Sequence, residues 1–209
     1  MNDLIYGTRK QGKSTLAIAL AVNAHERTLI FDPRGTFPVF QSYPIEEIPS
    51  RLASHEPGTI QITRVGPYDT DEVSEAFEEF TRVAWQEEDI SVIVDESHML
   101  QGSNSLDPNL DRWNRQSSSN VEVIQTTHRI VDAHPDSRYH ADNVFFFHAY
   151  LTRELKTVGE SFGGDVASAL PLLKRHQLIH WHRSPGGFPV WIKWEDPSVW
   201  YVELENNNG

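Results

Sequence analysis

The chain has no cysteine, only two methionines, and no apolar run near the roughly 20 residues that a bilayer-spanning helix requires. Without cysteine there are no disulfide staples and no thiolate metal sites, which fits a reducing compartment. The longest apolar runs, "LAIALAV" and "NVFFFHAYL", are short enough to be a helix face and a buried strand. Because the strand-like "LIYG" comes at the very start, no signal peptide is expected, and the protein is expected to be soluble and intracellular. Positive charge is also scarce: 18 Lys and Arg face 30 Asp and Glu, a formal net charge of -12. A surface that clamps nucleic acid all over needs clustered cations and is therefore excluded, although local basic patches inside an acidic shell are not.

What the sequence does contain is an alternation. Runs rich in β-branched and aromatic residues recur at "LIYG", Thr28 to Phe31, Thr59 to Val65, Ser91 to Asp95, Val121 to Thr127 and Asn143 to Ala149. Several are near-continuously apolar, as strands covered on both faces of a parallel sheet should be. Helical patterns at Lys13 to Ala24, Asp71 to Gln86 and Leu106 to Ser117 lie between them, so the expected class is α/β, a mainly parallel sheet flanked by helices. Beyond about residue 150, two short helices broken at Gly163-Gly164 and a C-terminal β-hairpin turned at Pro185-Gly186-Gly187 are expected to follow. At 209 residues the chain suits one domain: a core over about 1–150, the helices and hairpin over about 151–203, and a frayed tail over 204–209.

The chemistry starts at "GTRKQGKST". Gly7, Gly12, Lys13 and Ser14 match G-x-x-x-x-G-K-[ST] in full, between a strand and an amphipathic helix. Glycines let backbone N–H groups wrap phosphates, and the helix that begins there points its positive dipole end at them. The loop Gly7, Thr8, Arg9, Lys10, Gln11, Gly12, Lys13, Ser14 and Thr15 is therefore expected to bind ATP, with Lys13 on the β- and γ-phosphates and Ser14 on Mg²⁺. "SVIVDESHM" supplies the second, acidic motif, in which Asp95 is expected beside the metal and Glu96 as the base that activates water. One strand later, "VIQTTHR" offers Gln125 as a phosphate sensor or water-orienting group. In "LIFDPRG", Asp32 closes a strand, Pro33 stops the ladder and Gly35 permits a turn with positive φ.

In that order and at those spacings, "GTRKQGKS", "LIFDPRG", "VIVDESH" and "VIQTTHR" resemble the FtsK/HerA superfamily of P-loop ATPases. The compact size looks most like the genome-packaging ATPases of tailless icosahedral double-stranded DNA viruses. The resemblance covers Leu4 to about His148 and implies a RecA/FtsK-like fold and Mg²⁺-dependent ATP hydrolysis. It further implies a homo-oligomeric ring, a hexamer, around double-stranded DNA, with viral capsid or vertex proteins as partners and a place in the host cytoplasm or the virion. Rings of this kind complete the site with a neighbour's arginine. Arg112, Arg115, Arg129 and Arg138 are candidates, and Arg115, just before the sensor strand, best resembles the family pattern.

Three other readings compete. A phage assembly or export ATPase similar to zonula occludens toxin would share the motifs, but its relatives usually carry a membrane anchor. A small nucleoside or nucleotide kinase suits the length but does not need a Glu beside the metal Asp. "DESH" also reads as a helicase box, yet such helicases need two tandem ATPase domains. Finally, "HWH" at His180 to His182 puts two imidazoles on one strand face, but no third ligand follows at a recognisable spacing. Four tryptophans, Trp181, Trp191, Trp194 and Trp200, fit a hairpin packed on the sheet better than a base-stacking platform.

Overall fold

The computed structural model describes residues 1–35, 43–54, 60–64, 70–101, 105–116 and 120–183. Their near-continuous apolar runs form strands β1 (Asn2–Tyr6), β2 (Arg27–Asp32), β3 (Ile60–Arg64), β4 (Ile90–Val94), β5 (Val121–Thr127), β6 (Asn143–Phe147) and β7 (Leu178–His182). They make one sheet in the order β3-β2-β4-β5-β1-β6-β7. Every pairing is parallel except that of β7, which runs antiparallel along β6. β7 is the first arm of the expected hairpin. The turn at Pro185-Gly186-Gly187, the later tryptophans and the tail lie outside the described residues.

Helices cover both faces of the sheet. α1 (Lys13–Ala24) buries Leu16, Ala17, Leu20 and Ala21 against Ile5, Ile30, Ile93 and Ile124. On the opposite face, α3 (Thr70–Ala84) carries Val73, Phe77, Phe80 and Ala84 at the spacing of one helix face. Phe31 of β2 meets Phe77 and Phe80 at ring-centroid distances of 5.0 and 5.3 Å. Removing each such ring from water stabilises the fold by roughly 2–3 kcal/mol. α4 (Pro108–Gln116) completes this layer with Leu110 and Trp113, and Asp107 caps it by accepting from Asn109 N at 2.9 Å. Of the short helices α2 (Ile48–Leu52), α5 (Pro135–His140), α6 (Thr152–Phe162) and α7 (Gly164–Ala169), the last two break at Gly163, where φ is 107°. Trp181 packs edge-on against Phe162 at 5.1 Å, a core contact.

A polar row crosses the sheet on the α1 side, near the strand starts. Asn143 Nδ2 donates to Asp3 Oδ1 at 2.8 Å, while Asn143 Oδ1 lies 2.9 Å from His180 Nε2 and 2.9 Å from His182 Nδ1. The two histidines are thus occupied by an amide, and no metal-holding group of His, Asp and Glu occurs among the described residues. Burial raises the buried Asp3 and pushes the Glu122 carboxyl up to about 9, and the two side chains share a hydrogen bond. They titrate as a pair, so a protonated pair stabilises the fold at low pH, and that stability is lost as pH rises from the ordinary carboxylate range towards 9. Glu122→Gln, which donates to Asp3 without titrating, is expected to raise Tm by an amount that grows between pH 5 and pH 9, about 2–4 °C per kcal/mol relieved. Thermal unfolding across that range measures it. A difference that stays flat with pH rules the buried pair out as its cause.

Candidate functional site

The C-terminal ends of β1, β2, β4 and β5 converge at one edge of the sheet, the position at which parallel α/β sheets bind ligands. The loop after β1 turns back into α1 through Gly12 at φ 108°, with Lys10 at φ 63°. Gly7 is required by close approach: a Cβ there would lie 2.7 Å from Phe147 Cβ and 2.9 Å from Gln11 Oε1. Gln11 is anchored in turn by a bond from its Nε2 to His148 O at 3.3 Å, while its own carbonyl lies 3.0 Å from His176 Nδ1. The first bond within α1 runs from Leu16 N to Gly12 O, so the amides of Lys13, Ser14 and Thr15 have no intrahelical acceptor and face the loop. The loop that the sequence singles out for phosphate thus presents these three amides, free of intrahelical acceptors, at the end of the sheet.

Lys13 is only 7% exposed. Its Nζ donates to Thr8 O at 3.4 Å and to His128 Nδ1 at 3.1 Å. An ammonium cannot accept, so His128 Nδ1 is the unprotonated nitrogen and Nε2 carries the proton. That Nε2–H donates to Glu96 Oε1 in a short contact. A chain of hydrogen bonds, Lys13 to His128 to Glu96, therefore links the phosphate loop to the acidic motif. Burial lowers the Lys13 pKa, against the pull of Glu96 and Asp95.

Asp95 lies one residue past β4 and faces the α1 side, where it accepts from the Thr126 hydroxyl. Glu96 adopts a left-handed backbone conformation, φ 52°, that swings its side chain off the strand axis, and its amide donates to Thr126 Oγ1 at 3.2 Å. Glu96 Oε2 makes no hydrogen bond, with His98 Nδ1 3.3 Å away and Arg34 Nη1 3.8 Å away. Burial works to raise the Glu96 pKa, but the hydrogen bond from His128, together with His98 and Arg34, outweighs it and holds the carboxyl below its usual range. Glu96 is thus an ionised, buried carboxylate with Oε1 held by His128 and Oε2 without a hydrogen bond, in ion-pair range of His98 and Arg34.

The donor set fits Mg²⁺ and ATP. Asp95 and Ser14 offer hard oxygens to a cation that prefers them, and Lys13 with the loop amides offers positive charge to phosphate.

Two expected site residues stand elsewhere. Gln125 does not reach the phosphate loop: Val121 and Val123 point to the α3–α4 side, and the two-residue period of the strand puts Gln125 with them. There its Nε2 donates to Asn114 Oδ1 at 2.7 Å. Thr126 and His128, which have the opposite phase, hold the site side instead. Arg115 lies on the outside of α4, bonded to Asp111 at 2.7 Å and Asp136 at 3.2 Å, apart from Glu96 and Lys13. Of the other arginines, Arg112 stacks on Trp85 at 3.8 Å and Arg129 pairs with Glu154 at 3.4 Å. The residues that motif reading passes over are His98, His128 and Arg34. Their signal was adjacency, because each follows a strand-ending motif by a residue or two.

No protein-family model matches the sequence, and no curated protein matches it. Solved structures do. The genome-packaging NTPase B204 of Sulfolobus turreted icosahedral virus 2, in complex with AMPPCP, superposes with a TM-score of 0.69 at 19% identity, over 86% of this chain and 91% of that one. B204, the DNA-packaging ATPase from Sulfolobus turreted icosahedral virus, gives 0.68 at 17%, over 87% and 91%. The pCW3 conjugation coupling protein TcpA, with ATPγS, gives 0.58 at 11%, over 98% of this chain and 64% of that one. At such identities the likeness speaks for the fold: this chain shares the P-loop NTPase fold of these packaging enzymes.

Proposed function

We propose that the chain is a single-domain, Mg²⁺-dependent ATPase that moves double-stranded DNA, packaging a viral genome into a preformed capsid from the host cytoplasm. The observation that carries the hydrolytic part is the Oε2 of Glu96, which makes no hydrogen bond, on an ionised carboxylate tied through His128 to the phosphate-loop lysine. Glu96 accepts a proton from the attacking water, and Lys13 and the loop amides neutralise charge on the phosphates. Mg²⁺ held by Ser14 and Asp95 supplies Lewis-acid neutralisation of the same charge when bound. A carboxylate base beside the metal aspartate suits water as the acceptor and gives a kinase no advantage. The motor part is supported by the architecture shared with the B204 packaging enzymes. No helix among the described residues is long and apolar enough to cross a membrane.

Within a ring, a neighbour's arginine completes the site, and Arg115 remains the first candidate. It would have to give up Asp111 and Asp136 to act, so Arg115→Ala is expected to slow turnover at least tenfold, with partial recovery when mixed with Glu96→Gln subunits. An unchanged rate in Arg115→Ala alone removes it from the role. The reading as a whole is tested by steady-state ATP hydrolysis with and without double-stranded DNA, with Glu96→Gln as the blank. Stimulation by DNA that fades with salt supports a motor acting through backbone contacts. DNA-indifferent turnover, or transfer of phosphate to a nucleoside, overturns it.

A further inference from the structure

A cavity of about 430 Å³ opens at the same edge of the sheet, on the far side of the β5 end from the phosphate loop. It is lined by the segment after β4 (His98, Gln101), the segment after β5 (Asp132, His134), Arg138 of α5 and Arg153 in the first turn of α6. In a chain with 30 acidic and 18 basic side chains, an arginine should find a carboxylate by default. Arg51, Arg82, Arg115 and Arg129 all do. Arg138 and Arg153 form no ion pair among the described residues, Glu160 acting on Arg138 only at a distance, and the half-buried Arg138 has an Nε with no hydrogen-bond partner. The one carboxylate on the wall, Asp132, lies 4.0 Å from Arg129. Arg153 is also placed against the dipole of its own helix, a position that disfavours a cation unless an anion is to be met there.

We propose that this cavity is a second anion site, distinct from the nucleotide cradle, in which Arg138, Arg153 and His134 grip a phosphodiester of the translocated DNA. The assignment rests on the motor reading above. It gives the acidic chain a local place to hold a backbone without base readout. It also gives the polymer a route to hydrolysis: His98 lines the cavity on one side and lies 3.3 Å from the Glu96 carboxylate on the other. Gln101 fixes that wall by accepting from His134 N. The bound backbone therefore positions Glu96 through His98, and Arg138 and Arg153 act on turnover only when DNA is present.

The test uses the full chain as wild type, Arg153→Glu and Arg138→Gln, assayed for ATP turnover alone and with a random-sequence duplex of about 40 base pairs, and for duplex affinity as a function of salt. Arg153→Glu removes a cation opposed by the helix dipole, so it is expected to fold at least as well as wild type. Arg153→Glu should keep basal turnover within about twofold, and both variants should lose DNA stimulation and bind the duplex with a log–log salt slope shallower by about 1 for Arg138→Gln and more for the charge reversal. Wild-type stimulation that persists unchanged in both variants overturns the cavity assignment and leaves the motor standing. A wild type that hydrolyses ATP but neither binds nor responds to the duplex overturns the motor reading and the assignment with it. If inorganic phosphate at the same concentration reproduces the response, the site takes free phosphate and the polymer assignment falls.

Discussion

Glu96→Gln is expected to cut ATP turnover by about 10²–10⁴-fold while leaving nucleotide binding within a few-fold of wild type. The amide has the carboxylate's shape, and its oxygen still accepts from His128 Nε2, so the chain from Lys13 should persist. What disappears is the basic oxygen at Oε2, which has no hydrogen bond in the folded protein. The protonation state adds a second signature. Burial pushes the Glu96 carboxyl up, but His128, His98 and Arg34 hold it below its ordinary value. A depressed folded-state pKa means that its stabilising contribution is present above the unfolded value and is lost as pH falls through the lower folded one. The base therefore stays ionised through mildly acidic pH, and the rate profile should show no acid limb assignable to Glu96 near the usual glutamate value. Single-turnover hydrolysis and equilibrium binding of a non-hydrolysable analogue separate the two effects. Wild-type turnover in Glu96→Gln would remove Glu96 from the chemistry, and lost binding would make it structural.

The fold was legible where sequence pattern and burial coincide. β5 occupies the Val121 to Thr127 run and α1 the Lys13 to Ala24 run, because a run rich in β-branched residues favours a strand and a strand followed by a glycine loop and an amphipathic helix leaves few alternatives. Boundaries drifted where chemistry takes over from packing. The strand read as Ser91 to Asp95 ends at Val94: the Asp95 amide still donates to Phe31 O at 3.0 Å, and at Glu96 the backbone turns into the left-handed region. The sensor failed for a related reason. A run of seven buried residues does not disclose which parity faces the ligand, so Gln125 and Thr126 look equivalent in sequence, and only the packing of Val123 against the α3–α4 layer and Ile124 against α1 decides. His128, Lys13 and Glu96 meet from three separate segments, and Asp3 meets Glu122 across two strands distant in the chain. Pairings of this kind have no local signature. Motifs locate the ends of strands, but the side chains that connect one motif to another come from register.

Lys13→Met is expected to have effects of opposite sign on the free and the nucleotide-bound protein. In the free protein Lys13 is 7% exposed, and its ammonium has a carbonyl and an imidazole as hydrogen-bond partners and no carboxylate in direct contact among the described residues. Burial lowers its pKa despite Glu96 and Asp95, so the folded state penalises the charged form relative to the unfolded chain. For a base shifted this way, stability rises with pH between the lowered folded value and the ordinary lysine value, and at neutral pH the full penalty is present. Methionine keeps an unbranched apolar stem in the same channel and removes the charge, so the free variant should melt a few degrees higher, at about 2–4 °C per kcal/mol. ATP at about 100 times its dissociation constant should stabilise wild type by about 2.7 kcal/mol, a shift of roughly 5–10 °C that the variant should lose. Melting curves with and without ATP, with Mg²⁺ throughout, read both numbers. A retained ATP shift would mean that the loop amides bind phosphate without the lysine. A lower Tm in the free variant would mean that the hydrogen-bonded chain through His128 to Glu96 outweighs the cost of burying the charge, and that the lysine is held at rest by its partners rather than waiting for a phosphate.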